Sequence, residues 1–308
     1  MGSLILSQVF NAIMLACTLA LIGIGFSLFF GVMDIVVFCL GDIAIASAFC
    51  ILGITSLTGV YAALNGIFPM VVSNIILVIC GGVFGAILVT VMYHTVVAPF
   101  EGKNINASLL STVAAGYVIR ELIGIFYPGG RDPQNFPNLL PTGYLFNNTM
   151  LSWRNIIIVG TTVLVLMLLY WFVNRTKAGI SIQALSQNKE ASIMIGIDWH
   201  KMVIVTFLIG GFLLGIAGFL TASYASTLRF DTGSMYGLLG FSVAVVGGLG
   251  SIYGALAGSL VIAFVEVFVT GFIPGGAAYS GVAGFLIVVL FIIFRPEGII
   301  GEKSISKV

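Results

Sequence analysis

The sequence predicts an all-α, polytopic transmembrane helix bundle of about eight to nine spans, one of them short or re-entrant, and three observations predict it. Apolar residues make up 59% of the 308 and charged residues only 7%, with 39 glycines and a mean hydropathy of +1.17. Soluble domains are nearer half apolar and a quarter charged. Runs of about 20 apolar residues, enough to cross a bilayer as a helix, recur from end to end. These runs are apolar on every side, as in residues 156–173, IIIVGTTVLVLMLLYWFV, whereas a barrel strand alternates over roughly ten residues. Packed as a soluble core, the chain would leave most of this surface without a partner, so lipid is the solvent it implies.

The candidate spans cover residues 7–30, 32–59, 68–97, 107–127, 155–173, 203–220, 238–249, 253–271 and 281–294. The first carries one mildly polar residue, Asn11, and the second holds two acids, Asp34 and Asp42. In the third, Asn74 precedes Gly81 and Gly85, spaced by four; in the sixth, Gly211 and Gly215 repeat that spacing. Small residues at this interval let helix backbones approach closely in a membrane. Arg120 and Glu121 lie in the fourth span, and the fifth is the apolar run quoted above. The seventh is too short to cross a core of about 30 Å unaided. Its neighbour starts after GGLGSIYG (247–254), so the two are expected to form a tight hairpin or a partly re-entrant element. Gly250, Gly254 and Gly258 form a third such ridge, also repeating at four.

No cleavable signal peptide is expected, because no basic residue precedes Lys103 and the first apolar run is too long. Leu6 stands where a myristoylation signal wants Ser or Thr. The four cysteines, Cys17, Cys39, Cys50 and Cys80, lie in apolar runs, and His94 and His200 are isolated. All six read as packing residues, with no metal site expected. A net charge of +1 points to no nucleic acid or other polyanion.

Basic residues near helix ends set the orientation. Arg175, Lys177, Lys189 and Lys201 cluster in one segment, Arg295, Lys303 and Lys307 at the C-terminus, and Lys103 in a short loop. The remaining loops hold a thinner set, Arg131, Arg154 and Arg229. The rich segments are therefore expected inside, the loop 128–153 outside, the C-terminus inside and the N-terminus outside. This count requires the short seventh element to reach the inner face, which favours the hairpin. The whole chain, 1–308, reads as a single transmembrane domain with a cytoplasmic segment at about 175–201.

Within that segment, NKEASIMIGID (188–198) reads as a short amphipathic helix. Asn188 is a capping residue for a free backbone N–H. Glu190 falls in the first turn, where the helix dipole favours an anion. Ala191, Met194 and Ile195 form a small apolar face at i, i+3 and i+4, and Gly196 suits a left-handed helix end. The pattern alone fits a surface helix resting on lipid headgroups as well as one held by a protein.

NKEASIMIGID also resembles the cytoplasmic "EAA" loop of ABC-importer permeases, with Glu190, Ala191 and Gly196 at the E-A-x-x-x-x-G spacing and Ser192 in place of the second alanine. Three further stretches resemble the branched-chain amino-acid permeases of the Liv type: FGVMDIVVFCLGD (30–42), VVGGLGSIYGALAGSLVIAFVE (245–266) and FRPEGIIG (294–301). The four occur in the family's order over nearly the whole chain. This resemblance implies a permease subunit of the bacterial or archaeal plasma (inner) membrane, importing branched-chain amino acids. It implies a second homologous permease, two cytoplasmic ATPase subunits and an extracytoplasmic substrate-binding protein as partners, besides membrane lipid. It also makes Asn188, Glu190, Ala191, Met194, Gly196 and Asp198 the segment that couples to the ATPases. The chain contains no G-x-x-x-x-G-K-[ST] phosphate loop, so ATP and Mg are expected on the partner ATPases, with no cofactor and no catalytic residue here. The same motifs fit an importer for urea, short amides or another amino acid. An ion-coupled secondary transporter and a non-transporting scaffold are further classes.

Charges inside spans cost about 2.5–3.5 kcal/mol each at a helix centre on insertion scales, so each needs a reason. Asp42 falls where the family has Glu in a pattern like N-F-A-H-G-E, but here Val37, Phe38, Cys39, Leu40 and Gly41 precede it, so the family's Asn and His are missing. Asp42 reads either as a wall of the translocation path or as a polar anchor between helices. Arg120 and Glu121 point about 100° apart on a helix, so each is expected to find a partner on another helix or subunit. Arg120 could alternatively meet a substrate carboxylate in a bidentate pair. Glu266 is a third candidate for the path, or a residue at the water interface.

Overall fold

The computed structural model describes residues 2–56, 70–100, 105–137, 153–276, 279–295 and 297–300. The ends of the second and third expected spans at 57–59 and 68–69, most of the loop 128–153, Lys103, Lys303 and Lys307, and Pro296 and Gly301 of the FRPEGIIG stretch lie outside the described residues.

Among the described residues the helices are α1 (Gly2–Met33), α2 (Leu40–Ser56), α3 (Met70–Met92), α4 (Ile105–Phe126), α5 (Trp153–Arg175), α6 (Lys177–Gln187), α7 (Lys189–Met194), α8 (Trp199–Ala225), α9 (Gly233–Gly247), α10 (Ile252–Phe272) and α11 (Ser280–Phe294). A π-turn at Tyr93–Val97 and a 3-10 turn at Ala98–Phe100 prolong α3. Two short strands, Gln134–Asn135 and Thr227–Leu228, pair antiparallel between loops. Among the described residues six helices are long and apolar enough to cross a membrane, while α2, α9 and α11 are shorter apolar helices. Helix satisfies the backbone of each apolar segment internally, which hydrocarbon demands.

At the centre stands α8, 27 residues long, packed against α1, α2 and α3. The glycine pairs on the third and sixth spans meet each other across α3 and α8. Gly81 faces Gly215, and Gly85 faces Gly211, so the two backbones touch in antiparallel register. A Cβ on Gly85 would lie 2.9 Å from the Cα of Gly215. Further along α8, Gly218 sits against the Ala44 carbonyl of α2.

The seventh and eighth elements form the tight hairpin. Gly247 of α9 lies on Gly254 of α10, and Gly258 lies on Val243. Ser251 caps α10 by accepting a hydrogen bond from the Gly254 N–H at 3.0 Å. The expected ridge is corrected at one position. Gly250 is not on the helix but in the connecting turn, at φ +87, against Gly31. Residues 233–237 also belong to α9, which therefore starts earlier than the apolar pattern placed it.

The FRPEGIIG stretch acts as a clamp on this hairpin. The N–H groups of Ile299 and Ile300 donate to the Val246 and Gly247 carbonyls, both at 2.9 Å. These are final-turn carbonyls of α9, which have no partner within their own helix. Gly298 turns the chain at φ +75, where a Cβ would lie 2.6 Å from the Cα of Gly248. Gly298→Val therefore meets both a left-handed penalty of about 1–2 kcal/mol and a backbone clash. The expected result is a lowered unfolding temperature in detergent and faster hydrogen exchange at Ile299 and Ile300.

The largest departure concerns the second span. Instead of starting at residue 32, it is preceded by α1, which runs on to Met33. The chain then breaks at Asp34 (φ +55), whose N–H still bonds the Phe30 carbonyl at 2.8 Å. Asp34 is exposed and lies between the two helices rather than within either. Residues 35–38 turn back along α9, because Gly31 lies by Gly250 whereas Gly41 lies by Gly237. Helix α2 thus begins within the bundle, on the order of 15 Å along α9 from the turn. The Phe38 N–H of the non-helical stretch reaches Thr112 Oγ1 of α4 at 3.4 Å. A broken helix of this kind is tolerated at membrane depth only where protein surrounds it or a cavity adjoins it.

Candidate functional site

Two places gather the polar residues singled out above. The first is the segment 175–201. Thr176 opens α6 by accepting the Gly179 N–H at 3.1 Å, and Gly179 fits against the Phe172 carbonyl at the corner with α5. Ile182 and Leu185 bury one face of α6 in the core, and Ser186 touches Gly31. The segment therefore shares one end of the bundle with the α9–α10 turn and the C-terminal clamp. Sequence reasoning missed α6. Its signal was Thr176 followed by Ile182 and Leu185 at i, i+3, obscured by Gly179.

Helix α7 forms where expected. Asn188 is extended (φ −155) and its Oδ1 accepts the Ala191 N–H at 3.0 Å. At the other end the Gly196 N–H bonds the Ile193 carbonyl at 3.0 Å and the Ile197 N–H bonds Ser192 at 3.1 Å. With Gly196 at φ +94, this is the double-bonded Schellman stop. Ser192 is the buried side chain of the helix, while Glu190 and Ala191 are exposed. Met194 and Ile195 stand out at 86% and 77% exposed. Such large apolar side chains in so open a position form an exposed apolar tip on the segment.

Asp198 does something different. Its Oδ1 accepts the Lys201 N–H at 3.2 Å and its Oδ2 lies 3.0 Å from Lys201 Nζ, so it caps α8. The Lys201 side chain and backbone N–H hold its carboxyl below the usual carboxylate range. A depressed acid contributes above its unfolded-state pKa and loses that contribution as pH falls through the lower folded value. The cap therefore stays charged at neutral pH. Lys189 Nζ sits 3.4 Å from the centre of the Trp199 ring, on the first residue of α8. Helix α7 is thereby tied to the start of α8 by a cation–π contact as well as by the short link between them.

The second place is where α2 meets α4. Asp42, in the first turn of α2, is 2% exposed. Arg120 Nε lies 2.9 Å from its Oδ1, off the line of a hydrogen bond, so the pair is held chiefly by charge. Two glycines make room for it. A Cβ on Gly116 of α4 would strike Asp42 Oδ2, and one on Gly233 would strike Oδ1. The Arg120 guanidinium also lies over the Tyr117 ring, 4.4 Å from its centre. Arg120 thus finds its partner on another helix, as expected. Glu121 does not: it pairs at 3.1 Å with Arg131, in the loop that follows its own helix, and both are exposed. Sequence reasoning missed Gly116, Tyr117 and Gly233. Gly116 and Tyr117 fall at i−4 and i−3 from Arg120, the spacing that puts them on its face.

Glu266 is not joined to this pair by any ion pair among the described residues. It is half-buried on α10, with one carboxylate oxygen shielded and without a hydrogen-bond partner.

The model of the family described as branched-chain amino acid transport system / permease component matches residues 8–294. The high-affinity branched-chain amino acid transport system permease protein BraD of Pseudomonas aeruginosa is 27% identical, over 98% of both chains. The corresponding protein LivH of Escherichia coli K12 is 24% identical over 98% of this chain and 97% of its own. A probable LivH of Methanocaldococcus jannaschii is 25% identical over 94% of this chain and 91% of its own.

Proposed function

Because this chain belongs to the family of branched-chain amino acid transport permease components, we propose that it lines half of the translocation path of an ATP-driven importer for branched-chain amino acids. A second homologous permease supplies the other half. Two cytoplasmic ATPases bind ATP and Mg, and an external binding protein delivers the solute. The end carrying α6, α7, the α9–α10 turn and the C-terminal clamp faces the cytoplasm of a bacterial or archaeal cell.

The observation that carries this reading is α7. It is capped at both ends, presents Glu190, Ala191, Met194 and Ile195 outward, and buries only Ser192 toward its own chain. A surface helix lying on lipid headgroups needs only an apolar face. Rigid caps and the Lys189–Trp199 contact suit a lever that must transmit force without fraying. When nucleotide closes the ATPases, α7 moves with them and carries α8. Gly218 of α8 rests on Ala44, two residues from Asp42, so the motion reaches the α2–α4 pair. The bundle then exchanges one packed arrangement for another and opens its cavity on the other side.

The test is reconstitution. In proteoliposomes holding both permeases and the ATPases, with binding protein added, leucine is expected to accumulate only with ATP and Mg. Vesicles containing this chain without ATPase are expected to show no uphill uptake under a proton or sodium gradient. Ion-driven accumulation by those vesicles would overturn the importer reading in favour of a secondary transporter.

A further inference from the structure

We infer that Arg120 receives the carboxylate of the travelling amino acid on its terminal Nη1/Nη2 edge, while Asp42 holds the guanidinium from behind and Tyr117 fixes its plane. The inference rests on the importer reading and identifies the chemistry by which that path recognises its solute.

The geometry of the pair is the starting point. Guanidinium carries five N–H donors in a rigid fork, and its two-nitrogen edges match a carboxylate. The atoms of closest approach are Asp42 Oδ1 and Arg120 Nε, at 2.9 Å and off the hydrogen-bond line. No hydrogen bond engages Nη1 or Nη2 among the described residues. A pair built only to anchor α2 on α4 gains most by using a full edge of the fork, because a half-satisfied buried pair is costly. Here the Nη edge has no hydrogen-bond partner among the described residues.

Access points the same way. Asp42 is sealed at 3% side-chain exposure, whereas Arg120 is 16% exposed, so a ligand can reach the arginine without first reaching the acid. The exposed part of Arg120 lies on α4, a span whose exposed face carries Leu110, Tyr117, Val118 and Glu121. A charged residue on that face makes lipid an expensive neighbour. The same face suits a path shared with a second permease.

Charge balance accounts for Asp42. An unpaired arginine here would leave a net positive charge in the bundle and trap any anion that arrived. With Asp42 behind it the site is neutral overall, so a zwitterion enters and leaves without a large change in net charge. Tyr117, stacked under the guanidinium, holds its plane and offers an apolar edge to the solute side chain.

The test uses the complete importer in proteoliposomes, with leucine as the probe. Arg120→Lys keeps the charge beside Asp42 but loses the fork. It is expected to assemble and to carry about tenfold less leucine per ATP hydrolysed, the order expected for losing a charged hydrogen bond. The double variant Asp42→Asn/Arg120→Gln leaves no buried charge. It is expected to co-purify with its partners at the parental yield yet import no leucine. Asp42→Asn alone, which spares the fork, is expected to import measurably and above the double variant. Parental leucine-to-ATP ratios in Arg120→Lys, or parental uptake in the double variant, would mean that the pair only anchors helices. Failure of Arg120→Lys to assemble would mean the same. If the unaltered complex shows no ATP-driven uptake, the importer reading falls instead, and the two failures are thereby distinct.

Discussion

Met194→Glu with Ile195→Glu is expected to abolish ATP-driven uptake while leaving the chain inserted and folded. Both side chains project at the end of α7 largely exposed, so their replacement removes little contact that the described part of this chain makes with itself. Fully burying a Met or Ile against a partner is worth about 1.5–3 kcal/mol. Interface anchors of this size commonly dominate binding, at about 2 kcal/mol or more each on truncation. A carboxylate forced into the same apolar groove adds a desolvation penalty. Co-purification of ATPase should drop at least 100-fold, with the melting transition of the isolated permease unchanged. Milder changes should separate the two halves of the device. Glu190→Lys reverses the charge at the helix N-terminus, where the dipole opposes a cation, and should uncouple hydrolysis from uptake. Gly196→Val has open space for its side chain but is strained at φ +94, so it should fray the Schellman stop and uncouple for a different reason. Parental uptake by the Met194/Ile195 double variant would reduce α7 to an ordinary surface helix.

The second large effect is expected at Gly215. A Val there would drive its Cβ into the Gly81 carbonyl and within 2.7 Å of the Gly82 Cα. These obstacles are backbone, so no side-chain rotation relieves them. Overpacking of a core typically costs about 1–3 kcal/mol where side chains can adjust, and here two central helices must separate instead. The seam between α3 and α8 also has no hydrophobic effect to fall back on, because lipid competes equally for apolar surface and close approach is the attraction itself. Gly215→Val should give little or no folded protein in detergent. Gly160→Val on α5, where nothing lies within 4 Å of the added carbon, should be nearly silent in the same expression and thermal-shift measurements. Equal yields from the two would show that the glycine seam does not hold the bundle.

Much of this architecture was legible in the chain itself, because the membrane imposes a strong local rule. Each apolar run must close its own hydrogen bonds, so spans 155–173, 203–220 and 253–271 appear as helices within a few residues of their observed ends. Local chemistry likewise determined α7: Asn188 and Gly196 act on backbone groups three to five residues away, and that geometry needs nothing from the rest of the fold. The Gly81/Gly85 and Gly211/Gly215 spacings announced two close-packing faces.

Only the tertiary structure decided that these two faces meet each other, and that Gly250 belongs to a turn. It alone turned residues 35–38 back into the bundle, since an extended stretch of Ile35, Val36, Val37 and Phe38 is as apolar as the helix it interrupts. It alone brought Asp42 to Arg120, across 78 positions of sequence. The physical reason is range. Hydropathy, caps and spacing act within one or two helical turns and are written locally. Which acid neutralises which base depends on how whole helices stack, and on the missing Cβ atoms of Gly116 and Gly233 that leave room for the pair.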